Sequence, residues 1–198
     1  MSGGDVPEPI NEFTRDIIPD CLFQNILRCN YKRPTPVQKY GMAIGMANRD
    51  LMACAQTGTS SSSASPPGSG KTAGFLFPII AAMLRDGPSK APLPDTGYTD
   101  KYFPTCLILS PTRELASQIH KEAQRVGVVI PTHPQFCYCT GIAAAVVYGG
   151  IPMRETTMSL RRGCDILVGT PGRVLDLLQR DYIGLEGITS CRCVWCDG

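Results

Sequence analysis

Short apolar runs alternate with amphipathic stretches along this chain, and that alternation limits the possible folds more than any other feature of the sequence. Each run has the length of a strand buried on both faces, and the runs lie at residues 51–55, 105–109, 144–148 and 165–169, with 191–195 as a candidate fifth. The amphipathic stretches have helical spacing and lie at residues 19–29, 36–47, 72–84, 112–125, 153–162 and 172–180. Strands that alternate with helices predict an α/β fold, in which helices flank both faces of a parallel sheet.

Length and charge narrow the classes of function. The 198 residues suit one domain, and apolar residues make up 43% of them, which is enough to bury a core. The net charge is only +2, so any contact with a nucleic acid must come from individually placed residues rather than from bulk positive charge. The first residues lack the pattern of a signal peptide, and the longest apolar stretch, 74–84, is too short to cross a bilayer. We expect a soluble intracellular protein, cytoplasmic or nuclear, that does not contact a membrane.

Ten cysteines raise the question of disulfides or a metal site. In an intracellular chain we expect reduced thiols, and most of these cysteines lie within or beside apolar segments, where a thiol packs as a small hydrophobic group. Cys191, Cys193 and Cys196 form a cluster that Cys137 and Cys139 are able to complete, but the two histidines form no H-x(3–5)-H pair. A zinc-stabilised module is therefore the less favoured interpretation.

The strongest local motif is Gly68-Ser-Gly-Lys-Thr72, between the first predicted strand and a helix. Its glycines permit a tight turn whose backbone N–H groups point at a polyphosphate, Lys71 reaches the outer phosphates, and the Thr72 hydroxyl ligates Mg²⁺. The usual G-x-x-x-x-G-K-[ST] spacing needs glycine where this chain has Ser65, and removing residues 59–68 restores an uninterrupted A-x-T-G-S-G-K-T loop. We interpret 59–68 as an insertion in a phosphate-binding loop, and 126–135 as a second insertion that lengthens another connection. Longer loops cost little entropy, so the fold is able to accommodate both. The alternative is a Gly/Ser linker that ends in Gly-Lys-Thr.

Residues 31–38 support two interpretations. Thr35, Pro36 and Gln38 have the spacing of a capping box at the start of a helix. The Gln38 amide also presents a donor and an acceptor that match the N6 and N7 edge of adenine, and the Tyr31 ring is able to stack on a base. The two roles are compatible, and the residues alone do not choose between them.

Six short motifs follow one another along the chain: Phe13, Y-x-R-P-T-P-V-Q at 31–38, A-Q-T-G at 55–58 with S-G-K-T at 69–72, P-T-R-E-L-A at 111–116, Gly149-Gly150, and T-P-G-R at 170–173. In this order they resemble the first RecA-like domain of a DEAD-box RNA helicase, and the chain is most similar to the Vasa/Belle-type branch. The resemblance implies a RecA-like P-loop domain at 31–198, preceded by an N-terminal extension and first helix at 1–30.

The resemblance also implies an ATP-dependent RNA helicase that uses ATP, Mg²⁺ and RNA. It gives catalytic contacts to Lys71 and Thr72, and makes Thr72 the Mg²⁺ contact through the nucleotide. The residues implied in ATP binding are Tyr31, Arg33, Gln38, Gly58, Gly68, Ser69, Gly70, Lys71 and Thr72.

The residues implied in RNA binding are Pro111, Thr112, Arg113, Gly150, Thr170 and Arg173. They follow predicted strands, at the carboxyl ends where a parallel sheet binds ligands, and their chemistry suits a phosphate backbone rather than the bases. Taken singly, Thr170 before Pro171 is an ordinary helix N-cap and Arg113 is an ordinary surface charge. The ordered series of motifs favours the RNA interpretation.

Two parts of the family pattern are missing from these 198 residues. The Asp-Glu-Ala-Asp motif, whose first carboxylates orient Mg²⁺ and water, is replaced by C-R-C-V-W-C-D-G at 191–198, and these residues do not include a second RecA-like domain. We therefore expect this chain on its own not to unwind RNA. Besides the zinc module, the alternatives are a non-catalytic fragment that binds RNA or nucleotide, and a different P-loop NTPase.

Overall fold

The computed structural model describes residues 6–53, 70–87, 101–126 and 140–188. The elements in these ranges are, in order, α1 (Asp20–Arg28), α2 (Pro36–Met46), α3 (Gly70–Asp86), β1 (Cys106–Leu109), α4 (Arg113–Val126), β2 (Ala144–Val147), α5 (Met153–Arg161), β3 (Ile166–Gly169) and α6 (Pro171–Gln179). The helices match the amphipathic stretches of the sequence, and each boundary lies within two residues of the predicted one. Among these helices, none has the length and hydropathy needed to span a membrane.

The three strands of the described ranges form one parallel sheet in the order β1-β3-β2. Cys106 of β1 and Ala144 of β2 both lie opposite Ile166 of β3, so the last strand in the chain occupies the centre of this sheet. Every residue of β3 is buried, as expected for a strand covered on both faces. In β2 burial alternates between partly buried and buried residues, so one face of this strand is less well covered than the other, and the prediction of full burial is wrong there.

Helices cover both faces of the sheet, which confirms the predicted α/β architecture. Successive strand residues point to opposite faces. On one face Ile108, Ile166 and Val168 pack in a cluster with buried residues of α1, α2, α3 and α4. On the other face Leu107 and Leu167 pack in a second cluster with buried residues of α5 and α6.

The run at 51–55 differs from its prediction. Residues 51–53 are described and are not a strand; Leu51 is 42% exposed and Met52 is 93% exposed. A buried strand needs a neighbour to satisfy its backbone N–H and C=O groups, and none of the described strands pairs with these residues. Residues 54–55 and the candidate strand at 191–195 lie outside the described ranges.

The second predicted insertion begins one residue too early. Val126 is the last residue of α4, is fully buried, and belongs to the cluster that contains Ile119 and Ala123 of the same helix. The spacing of seven and three residues places these side chains on one helical face, so Val126 is part of the core. Residues 127–135, and all of 59–68, lie outside the described ranges.

Candidate functional site

Helix α2 begins with the capping box that the sequence predicts. Thr35 is the N-cap, and its Oγ1 accepts a hydrogen bond from the Gln38 backbone N–H at 3.4 Å. In return, Gln38 Oε1 accepts from the Thr35 backbone N–H at 2.9 Å. Pro36 follows the cap, where its missing N–H costs nothing. This arrangement fixes the direction in which the Gln38 side chain leaves the helix.

The other end of the Gln38 amide has no partner within the described ranges. The residue is fully buried, and no described residue offers its Nε2 a hydrogen-bond acceptor. A buried donor left in this state costs about 1–3 kcal/mol, so its presence favours a role toward a ligand that supplies an acceptor. Adenine N7 is such an acceptor, and N6 donates to an oxygen beside it. The Gln38 amide therefore fits the edge of an adenine ring.

Helix α3 crosses α2 closely, with its first residue beside Thr35 and its second turn beside the Gln38 backbone. A Cβ atom built on Gly70 would lie 3.5 Å from Thr35 Oγ1, and one built on Gly74 would lie 3.6 Å from Gln38 Cα. The first turn of α3 contains Gly70, Lys71 and Thr72, all partly buried. A helix N-terminus offers unpaired N–H groups and partial positive charge to a phosphate. The structure thus brings Gln38, Gly70, Lys71 and Thr72 together at the start of two helices.

Tyr31 lies elsewhere in this arrangement. The residue is 2% exposed, its ring meets Phe77 edge-on at 5.4 Å between centroids, and its hydroxyl donates to Glu122 Oε1 at 2.6 Å. Its predicted stacking on a base stays a prediction, and the described arrangement places the ring in the core. Arg33 is exposed. The remaining residues implied in ATP binding, Gly58, Gly68 and Ser69, lie outside the described ranges.

The residues implied in RNA binding meet at the carboxyl edge of the sheet. Pro111, Thr112 and Arg113 follow β1, Gly150 follows β2, and Thr170 follows β3. Two backbone hydrogen bonds hold these ends in line: the N–H of Ser110 donates to the carbonyl of Gly169 at 2.9 Å, and the N–H of Thr170 donates to that of Val147 at 3.1 Å. Parallel pairing therefore brings to one edge loops that are far apart in sequence.

The exposed surface of this edge carries the Arg113 guanidinium, hydroxyls and backbone groups. Thr112 caps α4 through its Oγ1, which accepts from the Leu115 N–H at 3.2 Å, whereas the Thr170 side chain makes no capping bond to α6. Arg113 is exposed, and a Cβ atom built on Gly150 would lie 2.5 Å from its Nη1. Gly150 has a φ of +87°, a left-handed backbone conformation that favours glycine, and the Arg113 guanidinium lies against it. These groups suit phosphates, which are contacted without reading the base sequence.

Comparison with known proteins decides the family. The family model described as DEAD/DEAH box helicase matches residues 35–194, which is most of the chain. The chain belongs to this family. Its fold is accordingly the RecA-like helicase domain.

Two solved structures of DEAD-box proteins are similar to this family member. The RNA helicase Prp28 from Chaetomium thermophilum, in a crystal structure bound to ADP, is 30% identical with a TM-score of 0.71, and the match covers 99% of this chain and 40% of that one. The yeast DEAD-box splicing factor Prp28 is 31% identical with a TM-score of 0.71, over 97% of this chain and 40% of the other. The chain thus spans about 40% of the length of each protein.

A third structure supports the fold alone. The hypothetical ATP-dependent RNA helicase from Sulfolobus tokodaii is 24% identical with a TM-score of 0.64, and the match covers 89% of this chain and 41% of that one.

Arg173 of this DEAD-box domain points inward. Its Nε donates to the carbonyl of Tyr148 at 3.2 Å, its Nη2 donates to the carbonyl of Ile151, and its Nη1 donates to Asp176 Oδ2 at 3.0 Å. The family resemblance groups Arg173 with the RNA residues and does not indicate these partners. The spacing of Arg173, Asp176 and Arg180 on one helical face is a signal for the Asp176 partner alone.

The described residues contain no group of side chains that could hold a metal ion on its own. The cysteines described are Cys21, Cys29, Cys106 and Cys164, and all four are free thiols. Burial, with a smaller effect of Asp165, raises the pKa of Cys164 well above its usual range, so this thiol stays protonated. The zinc candidates Cys137, Cys139, Cys191, Cys193 and Cys196 lie outside the described ranges.

Proposed function

We propose that this chain is the ATP- and RNA-binding half of an ATP-dependent RNA helicase. The observation that carries the proposal is the buried Nε2 of Gln38, which has no partner among the described residues and belongs to a helix whose N-cap, Thr35, lies beside the start of α3. The adenine end of a nucleotide needs a hydrogen-bond donor that faces N7, and the phosphate end needs helix N–H groups and a cation. The two helix starts offer both within one small region.

In the nucleotide site, Gln38 binds the adenine edge, and Gly70, Lys71 and Thr72 bind the phosphates. The Thr72 hydroxyl contacts Mg²⁺, which the nucleotide carries, and Lys71 neutralises charge on the outer phosphates. Gly58, Gly68 and Ser69 complete the loop, and Arg33 flanks the base. The family resemblance also assigns Tyr31 to the base, which requires its ring to leave the core contact with Phe77 described above. The ADP in the Chaetomium thermophilum relative supports nucleotide binding by this fold.

In the RNA site, the carboxyl edge of the sheet binds the phosphates of one strand. Arg113 supplies the charge, Thr112 and Thr170 supply hydroxyls, and Pro111 and Gly150 shape the loops that carry them. Arg173 belongs to the same edge. These groups predict little dependence on base sequence.

Several finer assignments stay predictions from the sequence. They are the Vasa/Belle-type branch, the division into 1–30 and 31–198, and an intracellular location in cytoplasm or nucleus. In the full-length family member, ATP binding and hydrolysis drive RNA strand separation. A polypeptide of residues 1–198 is expected to bind both ligands without separating strands.

Equilibrium binding tests this function. We would titrate the purified chain with a fluorescent ATP analogue in Mg²⁺, with and without a single-stranded RNA, and measure phosphate release and strand separation in parallel. We expect saturable binding of both ligands and no strand separation. Lys71→Ala should lower the affinity for the ATP analogue at least tenfold, because it removes the charge that faces the outer phosphates.

A matched control is Lys121→Ala, which removes the same charge from the exposed surface of α4. It should leave the affinity for the ATP analogue unchanged. Failure of the wild-type chain to bind nucleotide and RNA would overturn the proposal. Binding of nucleotide without RNA, and without preference for adenine, would instead favour a different P-loop NTPase.

A further inference from the structure

We propose that Arg173 is a positioning residue: it binds the loop at residues 148–151 from the protein interior and does not itself contact RNA. The proposal rests on the RNA site above and changes the part that this residue plays in it. Arg113 and the backbone of Gly149 and Gly150 then form the surface that meets the phosphates.

The first support is the direction of the Arg173 donors. Two of its nitrogens donate to backbone carbonyls, those of Tyr148 and Ile151, which bracket the Gly149-Gly150 turn. Both carbonyls belong to the loop after β2, whereas Arg173 belongs to the first turn of α6, 22 and 25 residues further along the chain. One planar side chain thus fixes both ends of a two-glycine turn.

The second support is the charge of Arg173, which is already matched. Asp176 Oδ2 accepts from Arg173 Nη1 at 3.0 Å, and Asp176 Oδ1 accepts from Arg180 Nε at 2.6 Å. The bond from Arg180, and then that from Arg173, lowers the pKa of the Asp176 carboxyl below its usual range, so it stays ionised. The Arg173 side chain is only 13% exposed. A phosphate would have to compete with an ionised partner that is already in place.

The third support is the contrast with Arg113 on the other side of the turn. Arg113 is exposed, and within the part of the chain that the structure describes it forms no salt bridge. Its guanidinium lies against Gly149 and Gly150, at distances that leave no room for a Cβ atom on Gly150. The turn is therefore held between two arginines, of which the outer one faces solvent.

Lysine is not equivalent to arginine in this position. The guanidinium donates in several fixed directions within one plane, so it reaches two carbonyls and a carboxylate at once. An ammonium group keeps the charge but concentrates its donors at one point. This difference separates a positioning role from a charge contact.

The salt dependence of RNA binding tests the proposal in the full chain. Each phosphate neutralised on a single strand contributes about 0.7 to the slope of log affinity against log salt. We expect Arg113→Gln to lower that slope by about 0.7. Arg173→Gln and Arg173→Lys should each weaken binding about fivefold or more at every salt concentration, with the wild-type slope retained.

Arg180→Gln is the matched control, because it removes the second partner of Asp176 without touching the loop; it should leave both affinity and slope unchanged. A slope for Arg173→Gln as low as that for Arg113→Gln would overturn the proposal. Full rescue of affinity by Arg173→Lys would also overturn it, since charge alone would then suffice.

Hydrogen exchange supplies a second readout that needs no RNA. The amides of residues 149–151 should exchange faster in both Arg173 variants, while the amides of β3 keep the wild-type rate and report intact folding. Unchanged exchange at 149–151 would contradict the proposal. A wild-type chain that binds no RNA would overturn the proposed function and leave the exchange experiment to decide the role of Arg173.

Discussion

Gln38 uses the two ends of its amide for different purposes. The oxygen closes the capping box with Thr35, while the nitrogen is buried and meets no acceptor in the part of the chain that the structure describes. The amide oxygen has two lone pairs, so it is able to accept from Thr35 and from adenine N6 together. This division connects the folding of α2 to recognition of the base, because the bond that starts the helix also orients the donor.

A nucleotide that lacks one acceptor tests this division. We expect the wild-type chain to bind 7-deaza-ATP about five- to tenfold more weakly than ATP, because replacing N7 by a carbon removes the acceptor for Nε2. Gln38→Ala should bind the two nucleotides equally. The measurement is competitive displacement of a fluorescent ATP analogue. If wild type and Gln38→Ala discriminate equally between ATP and 7-deaza-ATP, then Nε2 does not face adenine N7.

Single residues also show where sequence reasoning succeeds and where it stops. The capping box was predictable because its partners are three residues apart, within reach of local rules. The buried position of Tyr31 was not, because its hydroxyl partner, Glu122, lies 91 residues away in another helix. The partners of Arg173 in the loop after β2 were hidden for the same reason.

At the scale of the helices, the close crossing of α2 and α3 brings together the two helix starts of the proposed nucleotide site. Two glycines, Gly41 and Gly74, let the helix backbones approach closely where they cross. A Cβ atom on Gly41 would lie 3.1 Å from the carbonyl oxygen of Gly74, whereas a Cβ atom on Gly74 would make only ordinary contacts at 3.5–3.6 Å with Val37 and Gln38. Pro78 has no N–H to donate to that carbonyl, which lies four residues before it.

This asymmetry predicts different effects of the same substitution. Gly74→Ala should raise the free energy of unfolding, by up to about 1 kcal/mol, because alanine favours a helix interior and the space is open. Gly41→Ala gains the same helix preference but meets a backbone atom, so it should be less stable than Gly74→Ala. Urea unfolding followed by circular dichroism measures both, and each variant is the control for the other. The reverse order of stability would contradict the crossing geometry.

At this scale the sequence predicted the types of the elements better than their arrangement. All the helices were predicted, because their apolar spacing is a local property. The strand predicted at 51–55 was wrong for 51–53, where an apolar composition is not matched by a described pairing partner. The order β1-β3-β2 did not follow from the pattern, since the alternation of strands and helices is compatible with several orders.

At the scale of the whole molecule, the contact between α4 and the sheet includes a titratable side chain. His120 of α4 makes a hydrogen bond through Nε2 with the carbonyl of Ala144, at the start of β2, at 3.1 Å. The face of α4 that carries Ile119 and Ala123 packs in the core beside it. Burial lowers the pKa of His120, an effect that the bond to Ala144 only partly opposes. The folded protein therefore favours neutral histidine.

The stability of the whole domain should consequently depend on pH. Because the folded pKa of His120 lies below its value in the unfolded chain, about 6.5, stability is fully present above that value and is lost as the pH falls below it. We expect His120→Gln to lose less stability than wild type between pH 7.5 and 5.5. Urea unfolding at both values checks this, and carboxylates common to both proteins cancel in the comparison. Equal losses would show that His120 does not titrate with folding.

The central position of β3 has a consequence for synthesis of the protein. Among the described strands, β1 and β2 pair only with β3, so neither completes its ladder until residue 169 has left the ribosome. While the roughly sixty residues between β1 and β3 are being translated, β1 and then β2 have been synthesised but are not yet able to pair with β3. A chaperone that shields extended apolar peptide is needed most in that interval, and a pause in translation before residue 166 should increase aggregation more than a pause after residue 169.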